Sequence, residues 1–161
     1  DALPISFLTA PLFYQEAFFL NTFDFHNMNL STLDRDPAPK PQILLYHFSQ
    51  DERTRQIRRY LRRAGVDVRE VPASDLFHPL GYLFEIPGFS PCSRFPMGEN
   101  FSEEMLVMKD FSNSQMDAFL QFFRDNQLKN VDLKAVLTPV TVHWNSMELY
   151  RELKKEHQEL R

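Results

Sequence analysis

One cysteine, four glycines and no long apolar run set the first limits on this chain of 161 residues. The single Cys92 excludes an internal disulfide and fits a reducing compartment. Gly65, Gly81, Gly88 and Gly98 fall into neither GxGxxG nor GxxxxGKS/T spacing, so no glycine-rich phosphate cradle is encoded. No apolar run approaches the ~18–20 residues that carry a helix across a bilayer. A net charge of −4 supplies no global field for nucleic acid or an anionic membrane. What the chain does have is an ordinary globular balance of 43% hydrophobic and 25% charged residues, enough for one domain. The expected location is cytoplasmic.

Phenylalanine is unevenly spread: six of the sixteen lie before residue 26. Asp1-Ala2-Leu3-Pro4-Ile5 resembles a translated library adapter, so residues 1–27 are expected to be a non-native or translated upstream segment, with Met28 as the start. A genuine packing segment is the competing reading. A signal peptide is a poor third, because no basic region precedes the apolar stretch and Gln15-Glu16 interrupt it. Residues 28–41, with Pro37, Pro39 and Pro41, read as a linker. Residues 42–161 read as a single α/β domain with an irregular insertion at 72–102.

Ile43-Leu44-Leu45-Tyr46 is a short apolar run with the length of a strand buried on both faces. Ser49-Gln50-Asp51-Glu52 has the form of a capping box opening a helix to Ala64, stopped by Gly65. Ile57, Tyr60, Leu61 and Ala64 form its apolar stripe. Val66 to Val71 alternates as a second strand. Residues 72–102 carry five prolines, and a loop that long is functional or mobile.

The pattern then repeats. Met105-Leu106-Val107-Met108 is a second buried run, Ser112-Asn113-Ser114-Gln115 a second capping box, and Met116, Phe119, Leu120 and Phe123 a second apolar stripe. Leu133–Leu137 gives the fourth strand. Strand–helix–strand thus occurs twice, offset by 63 residues, which reads as an internal duplication. A last helix opens at Asn145, with Glu148 completing its box and Trp144 and Leu149 at staple positions. These elements predict an α+β fold: a ferredoxin-like duplicated β-α-β sandwich with an added C-terminal helix. In it the first strand of each half is central, and its second face needs cover from the last helix, the irregular segment or a second subunit. The alternative is a small α/β doubly wound sheet.

Two segments carry a resemblance. Leu80-Gly81-Tyr82-Leu83, and Lys134-Ala135-Val136-Leu137-Thr138-Pro139 followed by Trp144 and an acidic Leu-rich helix, resemble a bacterial domain-of-unknown-function family, DUF3783, over roughly residues 42–158. Pro139-Val140-Thr141 departs from the asparagine expected soon after the threonine. The resemblance implies no activity or cofactor.

The candidate sites are therefore read from residues. Thr138, Thr141, His143 and Trp144 lie after a strand end and before a helix start, where backbone N–H groups can meet an anion. The competing account makes Thr138-Pro139 a plain turn and Trp144 a staple. Arg55, Arg58, Arg59 and Arg62 share one side of the first helix and could meet a polyanion or an acidic partner. Their plainer reading is a solvated face. Cys92, His78 and His143 have no spacing that ties them into a catalytic pair. The five histidines show no metal-ligand spacing, and no cofactor is expected. The reading leans towards a non-enzymatic ligand- or protein-binding, regulatory module. The alternatives are an enzyme on an anionic metabolite using the Thr138–Trp144 loop, or a nucleic-acid accessory module using the arginine helix. A homo-oligomer or protein partner fits the first. No membrane partner is expected, and nucleic acid is disfavoured because Met105–Lys109 lacks the stacking aromatics of an RNA-binding strand.

Overall fold

A computed structural model describes residues 39–160. The expectations for residues 1–27, and for most of the linker at 28–41, lie outside the described residues.

Strand β1 (Gln42–Tyr46) leads into helix α1 (Glu52–Arg63) and strand β2 (Asp67–Glu70). A short helical turn α2 (Leu80–Leu83) sits within the irregular segment. The second unit is strand β3 (Met105–Lys109), helix α3 (Asn113–Asp125) and strand β4 (Leu133–Val136), and helix α4 (Ser146–Glu159) follows. The sheet order is β2-β1-β3-β4. Each first strand runs parallel to its own second strand, and β1 meets β3 antiparallel at the centre. This is the expected α+β sandwich of two β-α-β units with the first strands central, compatible with a ferredoxin-like arrangement. The antiparallel β1–β3 pair sets aside the doubly wound parallel alternative.

Alternation along the strands divides the core in two. Ile43, Leu45, Leu106 and Met108 face α1 and α3, where Ile57, Leu61, Met116, Phe119 and Phe123 cover them. Leu44, Tyr46, Met105, Val107, Leu133 and Ala135 point the other way. Helix α4 covers this second face with Leu149 and Leu153, and the irregular segment with Leu76, Phe77, Leu80, Leu83 and Phe101. The 72–102 stretch is therefore a packed lid on the sheet rather than an excursion. Two contacts fix it. The Leu80 N–H donates to the Trp144 carbonyl (2.8 Å) and the Ser146 N–H to the Leu76 carbonyl (3.1 Å). Beneath them Tyr46 and Ser146 share a buried hydroxyl–hydroxyl bond of 2.7 Å. Gly81 is required where it stands, since a Cβ there would lie 2.6 Å from the Phe89 ring.

The strand-to-helix turns correspond closely. His47 and Asp110, one residue past β1 and β3, both take left-handed φ values, 59° and 62°. His and Asp are among the side chains that tolerate this region. Both first helices end in the same pattern. Gly65 and Gln127 are left-handed, and the next N–H, of Val66 or Leu128, reaches back to Leu61 or Phe123.

Several local expectations change. The first helix is capped by Asp51, whose carboxylate accepts the Thr54 N–H (2.9 Å), and not by Ser49, which is exposed two residues upstream. Ala64 lies at a helix end and is exposed, so it does not belong to the apolar stripe. The second box holds in full: Ser112 accepts from the Gln115 N–H, and Gln115 accepts from the Ser112 N–H. Asn145 caps α4 by accepting the Glu148 N–H (2.8 Å). Trp144 is half-buried against the second-face core.

Candidate functional site

The Thr138–Trp144 loop is a compact turn tied by its own hydroxyls. Thr138 Oγ1 accepts the N–H groups of Val140 (3.2 Å) and Thr141 (3.0 Å). Thr141 Oγ1 accepts the Thr138 N–H (3.0 Å), and the two hydroxyls lie 3.0 Å apart. Both threonines are buried. This is local side-chain closure of a turn. His143 is exposed, its ring 5.2 Å from that of Phe89. The four residues are neighbours, with the threonine oxygens pointed inward at backbone and His143 outward.

The arginine side is divided. Arg55 is paired with Glu52 and Arg58 with Glu70 across to β2. Arg59 and Arg62 are exposed. Arg53, on the opposite side of α1, spans from the helix to the second unit. It donates from Nε and one terminal nitrogen to the Lys129 carbonyl and from the other to Glu104 (2.7 Å).

Cys92 and His78 do meet, though not as a thiol–imidazole pair: the Cys92 backbone N–H donates to His78 Nδ1 (2.9 Å). His78 Nε2 lies 3.7 Å from Asp75. With one ring nitrogen on backbone and the other towards a carboxylate, His78 pins the lid. His143 is not part of this contact. Among the described residues no cluster of three or more His, Cys, Asp or Glu could hold a metal.

Pattern along the chain did not disclose one further place. A cleft of about 440 Å³ opens at the pole where β1 ends and β3 and β4 begin. Its walls come from the β1–α1 turn (His47, Asp51, Arg53), the approach to β3 (Glu103, Glu104), the α3–β4 loop (Lys129, Asp132) and the end of α4 (Lys154, His157). Four separate segments contribute, so no sequence spacing could have exposed it. The only sequence signal was indirect: His47 stands where its counterpart in the second unit is Asp110.

The cleft's charges are already cross-linked. Glu103 accepts from the Tyr150 hydroxyl (2.8 Å) and pairs with Lys154 (3.2 Å). Burial opposes ionisation of Glu103, but those two hydrogen bonds, with the charges of Lys154 and His157, outweigh it and hold the carboxyl below its usual range. Tyr150 is pushed up to about 12 by burial, by its bond to Glu103 and by the carboxylate's charge. The Tyr150 ring stacks on Phe101 (4.2 Å between centroids), and Phe101 in turn meets the edge of His47 (4.8 Å). Against this packed wall, Nε2 of His47 is buried and has no hydrogen-bond partner among the described residues.

A mixed four-stranded sheet, helices on one face, a packed lid and a fourth helix on the other, and a polar cleft at one pole define a small α+β domain of open-sandwich form. Residues 104–160 match the model of a family described as a domain of unknown function (DUF3783). The matched stretch holds β3, α3, β4 and α4, including Lys134–Pro139 and Trp144. It leaves out the first unit and the Leu80–Leu83 turn, so the shown likeness is shorter than the 42–158 span read from sequence. No curated protein and no solved structure matches the chain.

Proposed function

We propose that the protein is a small ligand-binding module, and that its ligand enters the polar cleft at the pole of the sheet. The observation that carries this is His47. Buried polar atoms are almost always hydrogen-bonded, and one that is not requires an explanation. Here the unpartnered Nε2 belongs to a residue held left-handed at the mouth of a β–α turn. Such conformations cost about 1 kcal/mol or more and cluster where a site needs them. A bound polar group would supply the missing partner. The role is binding rather than bond-making, because Arg53–Glu104 and Tyr150–Glu103–Lys154 tie α1, β3 and α4 together and leave single atoms of the lining for a ligand.

The test is chemical-shift mapping of the isotope-labelled protein against a small-metabolite extract. Perturbations centred on His47, Ser102–Glu104 and Lys129–Asn130 are expected, with loss of the response in His47→Asn, a change that keeps a residue tolerant of left-handed φ. Saturable perturbations confined to Thr138–Trp144 or to the arginine side would overturn the reading.

A second reading, an acidic partner on α1, is favoured by Arg59 and Arg62, which take no part in the pairs that hold Arg55 and Arg58. Salt-sensitive retention on heparin, lost in Arg59→Glu/Arg62→Glu, is its signature.

A further inference from the structure

We infer that the ligand of the pole cleft is a small zwitterion, of the amino-acid class, carrying an ammonium and a carboxylate on one short skeleton. This rests on the cleft being a binding site. The argument begins from the charges around it. Arg53, Lys129 and Lys154 are interleaved with Asp51, Glu103, Glu104 and Asp132, and the whole surrounds about 440 Å³. In so small a space a ligand of one sign cannot reach its partners without approaching like charges, and in a partly desolvated site like-charge contact is expensive. A ligand with both signs converts every such approach into a favourable one.

The unused atoms have the matching chemistry. Glu103 and Glu104 make their bonds through Oε2, so Oε1 of each takes no part in them. Those oxygens suit an ammonium, which has three donors and no acceptor. Lys129 presents its backbone carbonyl to Arg53, so its own ammonium takes no part in that contact. It suits a carboxylate. His47 Nε2 adds a third polar point of attachment at the buried wall. The site is built in advance. Arg53 pins the α3–β4 loop to α1 and to Glu104, and Tyr150 and Lys154 pin Glu103 to α4, so the binding atoms need little reorganisation. Preorganisation of this kind is what makes few contacts sufficient for a small ligand.

The experiment compares three probes at constant ionic strength and pH on the labelled full chain: glycine, acetate and methylammonium, each titrated to ~10 mM or above, the range of weak small-ligand affinities. Glycine is expected to give saturable shifts at His47, Ser102–Glu104 and Lys129–Asn130, with acetate and methylammonium at least ~10-fold weaker, a difference of 1.4 kcal/mol. Lys129→Gln should reduce glycine affinity several-fold and weaken acetate while leaving methylammonium nearly unchanged, and Glu103→Gln should reduce glycine affinity and weaken methylammonium while leaving acetate nearly unchanged. Because Lys129 is exposed, its substitution should leave the fold intact. Equal response to acetate or to methylammonium would overturn the zwitterion and leave the cleft reading standing. No saturable shift at the cleft with any probe or with the metabolite extract would overturn both.

Discussion

The two β-α-β units place nearly the same backbone in two different surroundings. Their strands share length and register, their strand ends turn through left-handed His47 and Asp110, and their helices close in the same reverse bond. What differs is how each position is filled. Helix α1 buries two aliphatic side chains, Ile57 and Leu61, plus Thr54, and gives the rest of its surface to arginine. Helix α3 buries Met116, Phe119, Leu120 and Phe123. On the helix-facing side of the edge strands, the residue paired with Ile43 is Val68 and the one paired with Leu106 is Lys134. The second unit carries more of the core and also its one buried amine. The first supplies the pole with an imidazole, a capping carboxylate and a bridging arginine. The second copy has the larger buried helix face, while the first adds His47, Asp51 and Arg53 to the pole.

The sharpest break in that comparison is Phe119→Ala. Phe119 is buried and packs against Phe123 (5.2 Å) and the stacked Tyr60 (5.6 Å). Chemical denaturation should show a loss of ~3–5 kcal/mol, the range for deleting a buried aromatic. Ile57→Val, on the equivalent face of α1, should cost only ~0.5–1.5 kcal/mol.

Next in size is Lys134. Burial pushes its amine down from 10.5 to about 8, opposed by the charge of Asp132 and assisted by that of Arg124. The folded value lies below the unfolded one, so between those two pH values the unfolded chain binds the extra proton. Folding stability should therefore rise with pH across that window, and the penalty should be fully present below it. Lys134→Met should raise stability by on the order of 3 kcal/mol at pH 7, the shift converted at 1.36 kcal/mol per unit, and by little near pH 10.5. A pH series of denaturant midpoints on both proteins reads this directly. Val68→Met, the matching change in the first unit, should show no such pH dependence.

The caps give a smaller contrast. Ser112→Ala removes the acceptor for the Gln115 N–H and should cost ~1 kcal/mol, whereas Ser49→Ala should be close to neutral by the same measurement. The smallest effect lies at the helix ends. Gln127 holds φ 53° where its counterpart Gly65 holds 75°. Gln127→Gly should gain a few tenths to ~1 kcal/mol, and Gly65→Ala should lose about as much.

These contrasts also explain what the sequence made legible. Three apolar runs, two of the three caps and the apolar face of α3 were readable because local pattern and tertiary burial agree there. The first cap was misplaced because Ser49-Gln50-Asp51-Glu52 satisfies the box spacing equally well as a motif. The left-handed turn at His47 carries the chain past Ser49 before the helix begins, and Asp51 takes the cap. Residues 72–102 look like loop because prolines suppress periodicity, yet Leu76, Leu80, Leu83 and Phe101 are core. Trp144 occupies a staple position but ends half-buried, since Leu80 already lies against its backbone. The Thr138–Trp144 loop was singled out for polar residues placed between a strand end and a helix start; its threonine hydroxyls are consumed by the turn. The cleft went unseen because its lining is assembled from four segments whose proximity only the sheet order creates.

Binding at the pole cleft turns on His47. The most direct test is the long-range proton–nitrogen spectrum of the histidine side chains, recorded with and without the metabolite extract and then with glycine. The prediction is that Nε2 of His47 shifts saturably in both, while the nitrogens of exposed His143 stay in place. A ligand that binds with His47 Nε2 unmoved, or a response at His143 instead, would contradict it.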